Sequence, residues 1–175
     1  MLLELLIAIV VLAIGMGGLL VLLVSAMYTD TRSGNDTTST MLAEHVLEQI
    51  SSPMAQDTGF LSITDCAQTT WTITTAGAAK GGGNSGSNGG NGANLTAGAV
   101  VDWTQSYASV PSGYKMQYVS CGPGGQQITY DVRWNVIAMG TYSRMIFSSA
   151  RPLNTGTVAG LRYVMPVTLR TIGGM

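Results

Sequence analysis

The sequence predicts an α+β protein, a long N-terminal helix followed by a β-rich domain of four or five mainly antiparallel strands. Three observations lead there. Residues Leu5 to Met27 carry no charge and are almost wholly apolar. Leu42, Val46 and Ile50 then recur at every fourth position, which is a helical repeat. From Thr70 onward the pattern changes to an alternation of period two, the mark of strands with two different faces.

As a helix the apolar run reaches about 34 Å, enough to cross the hydrocarbon core of a bilayer. A secretory signal peptide is the competing reading, and Val24-Ser25-Ala26 would suit a signal peptidase. Against it, no basic stretch precedes the run, and the run exceeds the usual apolar core of such peptides. Glu4 stands at its start. Burying an unpaired carboxylate in lipid costs a few kcal/mol, so Glu4 must reach the headgroups or meet a partner. Gly15, Gly17 and Gly18 fall in the middle. Each costs about 1 kcal/mol against Ala in a helix interior. Small residues there also let membrane helices pack closely.

Residues 29–40 are polar and read as a loop when taken alone. Helix resumes at Met41, with Ala43 and Leu47 flanking the repeat, and Ser51-Ser52-Pro53 ends it. Glu44, His45, Glu48 and Gln49 lie mostly on another face, a solvated one rather than a metal cluster. Thr70–Thr74, Tyr114–Cys121, Ile128–Ala138, Arg144–Ala150 and Leu161–Thr171 are the expected strands. In the third, Ile128, Tyr130, Val132, Trp134 and Val136 point one way, with Trp134 a core residue rather than a ligand platform. Thr129, Asp131, Arg133 and Asn135 point the other way. Gly122-Pro123-Gly124-Gly125 forms a turn. Ala76 to Gly98 is low-complexity, Gly- and Asn-rich sequence that reads as a flexible surface loop without a core of its own. It lacks the Lys-Ser or Lys-Thr of a phosphate loop. Asn35-Asp36-Thr37 and Asn94-Leu95-Thr96 match the N-glycosylation pattern.

The stretch Leu3-Glu4-Leu5-Leu6-Ile7-Ala8-Ile9-Val10-Val11-Leu12-Ala13-Ile14-Gly15 closely resembles the N-terminus of mature bacterial type IV pilins and type II secretion pseudopilins. The likeness covers about the first 28 residues. A weaker one, to minor pilins, lies in Tyr130-Asp131-Val132-Arg133-Trp134-Asn135-Val136 and the strand ending Ser149-Ala150-Arg151. The resemblance implies the pilin fold, one long helix whose C-terminal half packs on the antiparallel sheet, and it makes residues 29–40 helical. It divides the chain into an apolar filament-core helix (1–28), an amphipathic continuation (29–53) and a β-rich domain (54–175). It further implies removal of a leader by prepilin peptidase, methylation of the new N-terminal amine, and pairing of Glu4 with the amine of a neighbouring subunit. The family glutamate is the fifth mature residue and here it is the fourth, so either one residue precedes Met1 or Met1 is an unusual start. Gly15, Gly17 and Gly18 stand where assembled pilins lose helical structure, and no proline precedes Pro53.

The implied function is a structural subunit of a type IV pilus-like filament that polymerises through the apolar helix. Its partners are copies of itself, the inner membrane and its assembly machinery before assembly, and its final place is a surface fimbrium serving adhesion or motility. One alternative is a minor pilin or pseudopilin that primes or caps a filament or acts in secretion. Another is a tip adhesin or DNA-uptake receptor. The net charge of −1 carries no nucleic-acid signature. An enzyme is not expected, since no nucleophile elbow, paired-carboxylate motif or metal spacing is present. Neither metal nor cofactor is expected. Cys66 and Cys121 predict one structural disulfide, with two separate buried thiols as the alternative.

Overall fold

The computed structural model describes residues 2–55, 57, 59–122, 125–153 and 167–174. Met1, Pro123, Gly124 and the first part of the strand expected at Leu161–Thr171 lie outside them. Two compact units result, Met1–Asn35 and Asp36–Met175.

One helix, α1, runs from Leu2 to Ser51. The polar stretch 29–40 is helical without irregularity at Gly34. Within it Thr29, Thr31 and Thr40 donate to the carbonyls four residues back, at Ser25, Met27 and Asp36, which satisfies their hydroxyls inside the helix. In the single chain α1 is continuous through Gly15, Gly17 and Gly18, whereas the loss of helix that the resemblance implies belongs to assembled filaments. A lone helix gains nothing by releasing its own hydrogen bonds.

Among the described residues eight strands follow: β1 (Phe60–Thr64), β2 (Thr70–Thr74), β3 (Ala78–Ala79), β4 (Asn91–Gly92), β5 (Lys115–Cys121), β6 (Gln127–Ala138), β7 (Ser143–Pro152) and β8 (Val167–Gly174). β1 and β2 form a separate antiparallel hairpin. The larger sheet is mixed. β7 holds one edge of β6 and carries β8 beyond it. The other edge of β6 is shared in turn by β5, by β4, and by β3, which is parallel. β1, β3 and β4 are additional to the expected strands.

The core lies between the end of α1 and one face of the larger sheet. Leu42, Ala43, Val46, Leu47 and Ile50 are buried in one cluster with Met116, Tyr130, Val132, Trp134, Val136 and Ile146. Trp134 is fully buried, and its indole N–H donates to Thr74 O at 3.2 Å. Arg144 closes the helix end. Its guanidinium donates to the carbonyls of Ile50, Pro53 (2.7 Å) and Thr75 (3.4 Å), satisfying acceptors that a helix C-terminus leaves open.

The other face of β6 is not solvated, because Asp131, Arg133 and Asn135 are all buried. Residues 84–110 cover it, contributing Ala93, Leu95, Val101 and Val110 to the core. Nor is the Gly-rich segment a floppy loop without core. β3 and β4 belong to it, and Ser85, Gly89, Gly90 and Gly92 are buried. A Cβ on Gly92 would stand 2.2 Å from Trp134 O, and its φ is +117°, so glycine is required on both counts. The Asn135 amide donates to Ala93 O at 2.8 Å, and the Ser85 hydroxyl bridges to Gly89 O and Gly90 O, both at 2.6 Å.

Candidate functional site

The first unit is a helix without cover. Every described side chain from Leu3 to Gly34 is exposed, including Leu3 at 73% and Ile14 at 72%. From Leu5 to Met27 the apolar side chains point in all directions, so this helix has no wet face and needs an apolar environment on every side. It is long and apolar enough to cross a membrane.

Glu4 stands in the first turn, where the partial positive charge of the helix start favours a carboxylate. Met1, the other residue expected in assembly, lies outside the described residues. Gly15, Gly17 and Gly18 are helical, and an added Cβ at any of them would meet nothing within 4 Å. Nothing inside the chain therefore requires glycine at these three positions.

Cys66 and Cys121 are disulfide-bonded, with Cα atoms 6.0 Å apart. The bond ties the β1–β2 hairpin to the end of β5. Asp65 supports it by accepting from Thr69 N at 2.8 Å and Trp71 Nε1 at 3.0 Å. Burial works to raise the Asp65 carboxyl, but donors from Trp71, Thr69, Val119 and Ala67 together hold it below its ordinary value.

A second polar cluster was not anticipated. Arg133 pairs with Asp131 at 2.7 Å and donates to Gln105 O at 2.6 Å. The rings of the 103–107 segment lie against cations: Trp103 sits 4.6 Å from Arg133 and 4.3 Å from Arg151, and Tyr107 sits 4.6 Å from Lys115. Lys115 also donates to Tyr107 O at 2.7 Å. These bonds lash the covering segment to the sheet. The signal that could have revealed them is the pair of opposite charges two residues apart on one strand face, Asp131 and Arg133.

Among the described residues no three His, Cys, Asp or Glu side chains gather into a metal site. Glu44 and Glu48 are exposed on the helix with His45 half-buried beside them.

The fold and site define an α+β protein that combines an exposed, membrane-length N-terminal helix with a domain built on a mixed sheet. No family model, no curated protein and no solved structure matches this chain.

Proposed function

We propose that the chain is the structural subunit of a type IV pilus-like extracellular filament, held in the inner membrane before assembly and polymerising through α1. One observation carries this reading. A helix apolar on all sides, exposed along its whole first half, bears a carboxylate at Glu4 and three glycines with no use inside the chain. A membrane anchor needs apolarity alone, and both features weaken it. In a bundle of identical helices both find a use. Glu4 meets a neighbour's N-terminal amine, and backbone freed at the glycines is shielded by protein. The β-rich unit then coats the bundle. Burial of Leu, Ile and Val side chains among copies holds the fibre without covalent links. Processing by prepilin peptidase and N-terminal methylation belong to the same proposal.

The test is Glu4→Ala with Glu4→Gln as the isosteric control. Both variants insert in the inner membrane and fold, yet sheared fibre fractions viewed by electron microscopy contain few filaments or none. Normal fibre yield from both would make the carboxylate incidental and defeat the mechanism.

A further inference from the structure

The helix half that belongs to the domain has two faces. Leu42, Ala43, Val46, Leu47 and Ile50 are buried, whereas Thr37, Met41, Glu44 and Glu48 are exposed at spacings of four, three and four. These four form one stripe directed away from the sheet. Met41 is 63% exposed.

The opposite side of the domain carries a complement. On β8 a Cβ at Gly173 would stand 3.4 Å from Ser51 Cβ, so Gly173 faces the helix. Alternation then sends Arg170 and Ile172 to the far side, where both are exposed, Ile172 at 69%. Neither Glu44, Glu48 nor Arg170 has an ion-pair partner among the described residues. The neighbouring cations are committed elsewhere: Arg133 and Arg151 to Asp131, and Lys115 to carbonyls of its own loop. Lys80, also exposed, sits in the turn after β3.

We propose that the stripe Met41, Glu44, Glu48 of one copy docks on the Arg170, Ile172 strip of the next, a head-to-tail contact between domains of identical chains. Each strip pairs an exposed apolar side chain with a charge one helical turn or one strand repeat away, and the charges are opposite. The two strips lie on opposite sides of the same domain. Such a contact is heterologous: each copy offers both halves, so it propagates from copy to copy and does not stop at a dimer. Complementary charge fixes the register and excludes the reversed arrangement. The proposal rests on the filament reading, since it describes how the outer layer of that filament joins.

Cysteine cross-linking of the full chain tests it. Glu44→Cys with Arg170→Cys, oxidised in membranes and in sheared fibres, gives a ladder of covalent oligomers beyond the dimer. Either cysteine alone gives no ladder, and cells co-expressing the two single variants give a mixed dimer. As a second measure, Glu44→Lys with Glu48→Lys, or Arg170→Glu, lowers fibre yield about tenfold through like-charge repulsion. The three changes combined restore it. Fibres that contain the chain but give no ladder and no rescue overturn this contact and leave the filament reading standing. A ladder in membranes without fibres sustains the contact and overturns the filament. Absence of both overturns both.

Discussion

Arg144 shows what one side chain contributes when secondary structure leaves acceptors open. It is 2% exposed, and burial pulls its pKa down, the nearby Asp57 working the other way. The contacts to helix-end carbonyls hold it in place. Arg144→Met fills the space but abandons those carbonyls, and the expected loss is about 2–4 kcal/mol. Arg144→Lys recovers little, since one ammonium cannot span acceptors that a planar fork reaches together. Denaturant unfolding of both variants measures the difference. Asp65 makes a separate prediction about pH. Its folded pKa lies below the ordinary 3.8, so its contribution is complete above that value and is lost as pH falls through the folded pKa. Asp65→Asn is therefore less stable than the parent at pH 7, and its melting temperature falls less steeply below pH 4. An equally steep acid limb in the variant would remove Asp65 from the account. The sequence displayed Asp65 beside Cys66, but the donors come from Thr69, Trp71 and Val119, and the last is brought near only by the fold.

At the scale of elements, legibility followed length except at β1, which is as long as β2 but was not among the expected strands. β2, β5, β6 and β7 have enough alternation to be read directly, and α1 ends at Ser51, the first residue of the predicted Ser51-Ser52-Pro53 stop. β3 and β4 have two residues each, too few for any period. The Gly-rich segment misled through composition. Glycine there does not mark freedom but supplies positive φ and close approach under Asn135 and Trp134. The alternation of β6 separated its two faces but could not show that Asp131 and Arg133 are buried, because the covering layer comes from residues 84–110 of another segment. This contrast can be measured. Gly92→Ala combines a strained φ with a 2.2 Å clash against Trp134 O, whereas Gly81, at φ +84°, faces open space. Gly81→Ala is expected to cost about 1 kcal/mol and Gly92→Ala at least twice that. Equal costs would restore the view of a floppy loop. The disulfide adds another element-scale prediction. It closes a loop of sequence separation 55. Replacing Cys66 and Cys121 by Ala removes about 4 kcal/mol in the chain-entropy account.

At the scale of the whole molecule, Glu4 and the apolar run were plain in the sequence, while the use proposed for them depends on copies that one chain does not contain. The glycines make the difference concrete. In the single chain α1 passes through Gly15, Gly17 and Gly18 unbroken, although they weaken it by about 3 kcal/mol against alanine. In lipid that weakness stays hidden, since a broken hydrogen bond would have no other partner. Inside a bundle, neighbouring backbones and side chains can take the freed groups, and an extended segment lengthens the subunit under load. The filament of the parent protein is therefore expected to lack i to i−4 bonding between Gly15 and Leu19. Gly15→Ala, Gly17→Ala and Gly18→Ala together restore it, because the helix regains about 3 kcal/mol while its packing surface gains only three methyl groups. Helical reconstruction of both fibres reads the backbone directly, and pulling single fibres reads the consequence, a stiffer response in the triple variant. A continuous helix through Gly18 in the parent fibre would end the melting claim. The glycines would then serve close packing of neighbouring helices, and the triple variant would assemble poorly instead of stiffly.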